Sequence, residues 1–305
     1  MVTKYIKIVL SNLAEFITYK NIRKNKISKL EFRRDIVENK YYTPIFFLST
    51  GRTGTAFFTI LLNKSNKVKV FHSPSSLFYN AQSELIEQGR VAYETYKQVG
   101  FNNELANRLL SQVFIATRED LLYKTYLHNK VYIETNNRIT FLAPAIKYLI
   151  PNAKFVHLYR HPGEFIRSGI RRKYYKSNSE HELGRLVPQK GDKYFDSWKN
   201  FDDIQKIAWL WNETNFFIEE YLQNIDSKDY LQFNFNDLTV NSINNLLKFL
   251  NINDIEERTI ENSIVKPVNE QKRGTFPSYN EWKKEDKEKV VEICGELSQK
   301  YGFEL

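Results

Sequence analysis

The stretch Ile45-Phe46-Phe47-Leu48-Ser49-Thr50-Gly51-Arg52-Thr53-Gly54-Thr55-Ala56-Phe57-Phe58 decides the fold of this chain. Its four leading apolar residues predict a buried strand, and the apolar spacing from Phe57 onward predicts a helix. A strand that turns into a helix through glycines presents unpaired backbone N–H groups at the positive end of a helix dipole, where phosphate or sulfate binds. Arg52 adds a fork of charged donors, and Thr53 and Thr55 add hydroxyl groups.

This loop differs from a Walker A motif, which requires the pattern G-x-x-x-x-G-K-[ST]. Gly51 and Gly54 lie three residues apart, and no lysine follows the second glycine. An ordinary strand–turn–helix corner with Thr53 as the helix N-cap is therefore an alternative to an anion site.

Length and composition limit the class of protein. A chain of 305 residues holds one large α/β domain or two smaller ones, and a hydrophobic content of 42% is enough for a sizeable core. The net charge of +9 favours an anionic partner such as a nucleotide, an acidic glycan, a nucleic acid or a membrane surface. Because Cys294 is the single cysteine, an internal disulfide framework and a zinc-finger module are excluded.

The sequence also predicts location and domain organisation. No run reaches the roughly 18 apolar residues of a membrane span, and no signal-peptide cleavage site follows the mildly amphipathic residues 1–16. We expect a cytoplasmic protein without membrane association, although a surface helix at the N-terminus is left open. Residues 1–40 are predicted to form a helical extension and residues 41–305 a single α/β domain. Residues 171–200, which are basic, aromatic and rich in turns, are predicted to form a lid or an acceptor-site insertion.

Strand and helix patterns alternate along the domain. After the opening strand, further strands are predicted at residues 67–71, 131–133, 154–159 and 230–235, with helices between them. This alternation predicts a three-layer α/β/α fold, in which helices cover both faces of a central parallel sheet of about five strands. The opening stretch would then be a P-loop-like strand–loop–helix.

Ligands bind beyond the carboxyl ends of the strands in such a sheet, and four predicted strands end in reactive residues. The four positions are residues 51–55, His72, residues 134–137 and Arg160. Ser168 follows Arg160 by eight residues and lies two turns into the next helix. Arg160 and Ser168 can therefore bind a second phosphate together. A structural ion pair for Arg160 and a surface position for Ser168 are the alternatives.

Together these segments resemble the sulfotransferase family. Residues 49–55 are similar to the family's 5′-phosphosulfate loop, and residues 159–168 are similar to its 3′-phosphate motif, in which an Arg and a Ser lie eight apart. The resemblance extends to residues 134–155, to the late strand and turn at 233–238, and to Lys272-Arg273-Gly274, which is similar to a loop that closes over the 3′-phosphate in some members.

The resemblance implies a reaction and a donor. The family transfers a sulfuryl group from 3′-phosphoadenosine 5′-phosphosulfate (PAPS) to a hydroxyl or amine by in-line displacement, usually without a metal, and releases 3′,5′-bisphosphoadenosine (PAP). Arg52 would stabilise the charge that develops on the departing phosphate. The residues that would bind the nucleotide are Gly51, Arg52, Thr53, Gly54, Thr55, Ala56, Arg160, Ser168, Lys272, Arg273 and Gly274.

A general base should remove the acceptor proton, and the sequence offers two candidates. Cytosolic members carry Lys-Thr-His where this chain has Glu134-Thr135-Asn136, so Asn136 replaces their histidine. Other branches place a carboxylate after the second strand, and His72 is the residue nearest that place. We rank His72 first, because imidazole titrates near neutral pH, and Glu134 second. A loop histidine and a structural carboxylate are the respective alternatives, and no residues have metal-ligand spacing.

Two other functions stay open on the sequence. A P-loop kinase or NTPase could use residues 131–134 as a Walker B strand, but the chain lacks the Gly-Lys-[Ser/Thr] that such enzymes need. A nucleic-acid or acidic-glycan binding protein could use the basic and aromatic residues 171–176, which fit an acceptor-site wall better. We expect no nucleic-acid partner. The preferred acceptor is a carbohydrate, because aromatic faces and basic rims suit acidic sugars.

Overall fold

A computed structural model of the chain describes residues 29–38, 42–72, 81–177, 182–265 and 274–305. Five strands form one sheet: β1 (Ile45–Leu48), β2 (Val68–Phe71), β3 (Val131–Glu134), β4 (Lys154–Tyr159) and β5 (Tyr230–Asn234). Their order is β2-β3-β1-β4-β5, and every neighbouring pair is parallel. The predicted parallel sheet of about five strands is confirmed.

Ten α-helices cover the sheet in the described part of the chain. They are α1 (Lys29–Glu38), α2 (Thr55–Leu62), α3 (Ala81–Val99), α4 (Glu104–Leu127), α5 (Ala143–Leu149), α6 (Pro162–Arg171), α7 (Asp203–Leu222), α8 (Val240–Phe249), α9 (Glu257–Ile264) and α10 (Lys284–Lys300). None of these helices is both long and apolar enough to cross a membrane.

The side chains of β1 divide the core into two layers. All four are buried; Phe46 and Leu48 belong to the core on one face of the sheet, and Ile45 and Phe47 to the core on the other. Helices α2, α8 and α9 contribute to the Ile45 face, while α3, α4, α5, α7 and α10 contribute to the opposite face. A strand that is buried on both faces reads as a continuous apolar run, as this one does. The three-layer α/β/α fold is therefore confirmed.

Helix α9 lies in a part of the chain for which the sequence pattern predicted no helix. The helix buries only Ile260, while most of its other residues are exposed. Ile260 and Ile264 lie four residues apart on one face, but two apolar side chains in eight residues are too few for a sequence pattern to distinguish a helix from a loop. The helix packs against α8, its neighbour in the sequence, and against α2, which lies far away in the sequence.

Helix α1 lies within the predicted N-terminal extension but packs on the main core. Phe32 is fully buried, and its ring centroid lies 5.3 Å from that of Tyr123 on α4. Ile36, one turn later, is buried with it. Residues 1–28 and 39–41 lie outside the described residues, so the predicted boundary near residue 40 stays a prediction.

Candidate active site

The turn between β1 and α2 has a left-handed backbone at three positions. Gly51, Arg52 and Gly54 have φ values of 76°, 58° and 95°. For a residue with a side chain this conformation costs about 1–2 kcal/mol, so the surroundings must hold Arg52 in place. Successive residues in such conformations turn their N–H groups toward one concave site for an anion.

Gly54, and not Thr53, is the N-cap of α2, so the alternative with Thr53 as the cap is wrong. No side chain caps the helix, which leaves first-turn N–H groups available to a ligand. The Thr53 hydroxyl oxygen is buried and has no hydrogen-bond partner in the described structure. Thr55 and Ala56 follow in the first turn, and Thr55 lines the cavity described below.

Residues from distant strands close around this turn. A Cβ atom on Gly54 would lie 2.1 Å from the ring of Phe235, which follows β5. A Cβ atom on Gly51 would lie 2.9 Å from the side chain of Asn137, which follows β3. Both positions therefore need glycine for space as well as for backbone conformation.

The two predicted anion segments come together in space. Strands β1 and β4 are neighbours, with Leu48 opposite His157, so the segments that follow them share one edge of the sheet. Arg52 Nε donates a hydrogen bond to the Ser168 hydroxyl on α6 at 3.2 Å. Burial lowers the pKa of Arg52, and the positive charges of Arg172 and Arg160 lower it further.

Arg160 follows β4 and is fixed through its backbone. Its carbonyl accepts a hydrogen bond from Trp211 Nε1 at 2.9 Å, and its guanidinium lies 5.5 Å from the Phe235 ring centroid. The guanidinium also forms an ion pair with the partly exposed Glu164. The structural ion pair that the sequence left open is therefore one of the contacts of Arg160. Its buried Nε has no hydrogen-bond partner in the described structure, which leaves a donor for a ligand.

A cavity of about 980 Å³ opens beside the turn. Among the described residues, its wall includes seven cationic residues: Arg52, Arg90, Arg138, Arg171, Arg172, Lys173 and Arg185. Glu182 is the only carboxylate among the described residues of that wall, and it pairs with Arg185 through two hydrogen bonds of 2.7 and 2.8 Å. The cavity therefore carries a surplus of positive charge that suits anionic ligands.

The predicted insertion at 171–200 forms part of the cavity wall. Arg171, Arg172, Lys173 and Tyr174, from the basic and aromatic run of the sequence, all line it. The Arg185 guanidinium stacks 3.5 Å from the Tyr174 ring centroid, which ties the two sides of the segment together. Residues 178–181 lie outside the described residues, and a lid function stays a prediction.

Gly274 lies on the same wall, with a φ of 68°. Its carbonyl accepts a hydrogen bond from Arg171 Nε at 3.0 Å. Lys272 and Arg273, the other two residues of the predicted closing loop, lie outside the described residues.

His72 follows β2 and faces the cavity that Arg52 also lines. The ring is partly buried, and its Nδ1 lies 3.1 Å from the Thr135 hydroxyl oxygen. Burial lowers the His72 pKa, a backbone hydrogen bond to Thr135 raises it, and the charge of Arg52 lowers it. The net shift is downward, so the ring is neutral at pH 7 and can accept a proton.

Glu134 does not fit the second-ranked role of base. Its carboxylate is fully buried and accepts two hydrogen bonds of 2.8 Å from Arg118 on α4. The Tyr132 hydroxyl donates a third at 2.7 Å. The cavity wall does not include Glu134, because its side chain turns into the core beneath α4. The structural-carboxylate alternative describes this geometry.

A match to a protein family establishes which family this chain belongs to. The sulfotransferase family matches residues 44–238, which is more than half of the chain. This chain belongs to the sulfotransferase family. The match includes the turn after β1, His72 and the Arg160/Ser168 segment, and it favours a sulfotransferase over the kinase and nucleic-acid-binding alternatives.

Among solved structures, the sulfotransferase STF9 from Mycobacterium avium superposes on this sulfotransferase with a TM-score of 0.50 and 11% identity, covering 89% of this chain and 80% of that one. The sulfotransferase domain from the curacin biosynthetic pathway gives a TM-score of 0.47 and 14% identity, covering 88% and 100%. The likeness to STF9 shows a shared fold. No curated protein matches the chain by sequence.

Sequence reasoning missed several residues of this sulfotransferase's cavity. Arg138 lies four residues after β3, next to the strand-end segment 134–137 that the sequence did indicate, so its position beyond a strand end was the available signal. Arg90 lies on α3, far from any motif, and only the packing of α3 against the 3₁₀-helix Asn137–Leu142 brings it to the wall. No three or more metal-binding side chains cluster in the described part of the chain.

Proposed function

We propose that this sulfotransferase transfers a sulfuryl group from PAPS to a hydroxyl or amine on its acceptor. The observation that carries the proposal is the 3.2 Å contact between Arg52 Nε and Ser168 Oγ. It joins the predicted 5′-phosphosulfate loop to the predicted 3′-phosphate motif. One adenosine with phosphate groups at both ends could therefore span the two segments.

The donors left unpaired in the described structure support this assignment. The 5′-phosphosulfate would bind the N–H groups of the left-handed turn, with Arg52 and the hydroxyls of Thr53 and Thr55. The 3′-phosphate would bind Arg160 and Ser168, with Lys272, Arg273 and Gly274 closing over it. A buried polar atom without a partner, such as Thr53 Oγ1 or Arg160 Nε, requires an explanation, and an acceptor-rich phosphate group supplies one.

The reaction would be a direct in-line displacement. The acceptor oxygen forms a bond to sulfur while the bond from sulfur to the bridging oxygen breaks, and its electron pair leaves with the 5′-phosphate. Arg52 would stabilise the charge that gathers there. We propose that His72 Nε2 takes the acceptor proton and later releases it to solvent.

We further propose that the acceptor carries an acidic group, and that a carbohydrate fits best. Arg90, Arg138 and Lys173 line the cavity in addition to the residues assigned to the donor. A wall lined mainly by cationic side chains favours a ligand of the opposite charge, even though some of them, such as Arg90 with Glu94, also have a partner in the chain. The Tyr174 ring on the same wall offers an aromatic face for a sugar.

The test is product analysis by mass spectrometry after incubation with PAPS. The acceptor panel contains neutral disaccharides, their uronic-acid counterparts, phenols and tyrosyl peptides. We expect an acceptor gain of one sulfate with stoichiometric PAP, and faster transfer to acidic than to neutral sugars. Phosphate transfer from ATP in place of sulfate transfer would contradict the proposal.

A further inference from the structure

A chain of hydroxyl groups links helix α2 to His72. Thr59 Oγ1 lies 2.8 Å from the carbonyl oxygen of Thr55, one turn earlier in α2. It also lies 2.7 Å from Thr135 Oγ1, which in turn lies 3.1 Å from His72 Nδ1. The three residues belong to three separate segments, α2, the segment after β3 and the segment after β2, so their alignment is a product of the fold.

The acceptor at the start of the chain sets the direction of every hydrogen bond. A carbonyl oxygen can only accept, so the Thr59 hydroxyl donates its single proton to Thr55. Thr59 Oγ1 must then accept from the Thr135 hydroxyl, because two oxygens 2.7 Å apart without a proton between them would repel each other. With its proton directed toward Thr59, the Thr135 hydroxyl accepts from His72 Nδ1–H, in addition to the backbone hydrogen bond between His72 and Thr135 described above.

We propose that Thr59 and Thr135 are positioning residues that hold His72 as the Nδ1–H tautomer. In that tautomer the lone pair lies on Nε2, the atom that would take the acceptor proton. The tautomer is a property of the folded chain, whereas its use in sulfuryl transfer rests on the proposed function.

This arrangement replaces the carboxylate that often orients a catalytic histidine. The carboxylate nearest in sequence to Thr135 is Glu134, which already forms an ion pair with Arg118. A hydroxyl chain that ends on a neutral carbonyl orients the ring without adding negative charge beside it. Arg52 is the charged group that acts on the ring from the turn after β1, and residues 73–80 lie outside the described residues.

The direct test is ¹⁵N NMR of the imidazole nitrogens in the full chain labelled at histidine. The His72→Gln variant assigns the signal among the five histidines. At a pH where the ring is neutral, we expect a protonated Nδ1 and an unprotonated Nε2 in the unaltered protein. Thr135→Val should shift the ring toward the Nε2–H tautomer, whereas Thr135→Ser should preserve Nδ1–H.

The Thr59→Val variant tests whether Thr59 affects the His72 tautomer through Thr135, or whether the contact between Thr135 and His72 acts alone. Thr59 reaches His72 only through Thr135, and removing its hydroxyl frees the Thr135 proton to turn toward Nδ1 or toward the Phe71 carbonyl at 3.4 Å. We therefore expect Thr59→Val to shift the tautomer in the same direction but less than Thr135→Val does, because a Thr135 hydroxyl that donates to Phe71 can still accept from Nδ1–H. Thr125→Val is the matched control, since the Thr125 hydroxyl also lies in a helix and donates to the carbonyl four residues earlier, that of Leu121, at 2.7 Å.

Two results would overturn the proposal: an Nε2–H tautomer in the unaltered protein, or an unchanged Nδ1–H tautomer in both valine variants. PAP affinity by calorimetry should stay unchanged in both variants, which shows that the donor site is intact. With an active acceptor, kcat should fall about tenfold in Thr135→Val with little change in KM. If PAP does not bind at all, the proposed function fails while the NMR result still decides the tautomer.

Discussion

Arg52 is held in a conformation and an electrostatic environment that both cost free energy. Its backbone is left-handed, its guanidinium is partly buried, and the charges of Arg160 and Arg172 oppose its own. A bound phosphate or sulfate would offset these costs by pairing with all three guanidinium groups. The arrangement is therefore best explained as a site preorganised for an anion.

Replacing Arg52 should remove most of the activity. We expect Arg52→Ala to lower PAPS-dependent transfer about 100- to 1,000-fold, because the developing charge loses its nearest fixed cation. Arg52→Lys should recover little of it, since a lysine keeps the charge but has no Nε–H to donate to Ser168. Steady-state kinetics measure both effects.

Arg258→Ala is the control for this series, because Arg258 is exposed on α9, away from the cavity wall. Like Arg52→Ala, it removes one positive charge from the chain. Equal losses in Arg52→Ala and Arg258→Ala would mean that net charge, rather than the turn after β1, governs activity.

His72 should give the reaction a defined pH dependence. Its pKa lies below the ordinary value of about 6.5, so the basic form predominates above that pH. Transfer should be constant above pH 7 and should fall as the pH drops below 6.5. His72→Gln should abolish this acidic limb and lower kcat about 100-fold, with PAP affinity unchanged. A pH–rate profile that is the same in His72→Gln would assign the base elsewhere.

The lowered pKa of His72 also makes the stability of the fold depend on pH, with a sign that follows from the direction of the shift. Between the lowered pKa and about 6.5, the unfolded chain binds more protons at His72 than the folded chain does. The His72 contribution to the free energy of unfolding is therefore lost as the pH falls through this range. Urea unfolding of the parent protein and His72→Gln at pH 5 and pH 7.5 measures the difference.

At the scale of elements, the conformation of the β1–α2 turn depends on residues that follow distant strands and pack closely against its glycines. Gly54→Ala would place a Cβ atom 2.1 Å from the Phe235 ring, in addition to the cost of a positive φ. We expect a loss of about 2–4 kcal/mol in the free energy of unfolding, from backbone strain and overpacking together.

Gly100→Ala provides a matched control for Gly54→Ala. Gly100 also has a positive φ, 77°, but a Cβ atom there meets nothing within 4 Å. It should lose only about 1–2 kcal/mol, the cost of the conformation alone. Equal losses in the two variants, measured by urea unfolding, would show that Phe235 does not confine the turn.

The junction of α4 and β3 should be a structural element and not a catalytic one. Glu134→Gln would leave the fully buried Arg118 without its partner charge, which costs about 3–5 kcal/mol of stability. Replacing both residues with Met should recover most of that loss, since an apolar pair leaves no buried charge. Unchanged stability in Glu134→Gln together with a loss of turnover would restore Glu134 as the candidate base.

The sequence was sufficient to predict elements that carry their own local signal. The four apolar residues of β1 and the apolar spacing of α2 identified their elements directly. The sequence could not decide between the two roles of Glu134, because Arg118 reaches it only when α4 packs over β3. Thr59 and Thr135 carried no signal for the same reason, since the contact between their hydroxyls joins two distant segments.

At the scale of the whole molecule, parallel pairing of β1 with β4 explains why two motifs more than a hundred residues apart form one site. Both motifs begin where their strands end, and neighbouring parallel strands end at the same edge of the sheet. Among the described residues, seven cationic side chains lie in the wall of one cavity beside these motifs. This charge is the reason for proposing a doubly phosphorylated adenosine as the ligand.

The most direct measurement of this central claim is a thermal-shift comparison of PAP, AMP and ATP at equal concentration without metal. At 100 times its dissociation constant, PAP should stabilise the protein by about 2.7 kcal/mol, and AMP and ATP should stabilise it far less because they lack the 3′-phosphate. Arg160→Ala should reduce the effect of PAP to that of AMP. Equal stabilisation by all three nucleotides, or a PAP effect that survives Arg160→Ala, would contradict a site that grips both ends of the nucleotide.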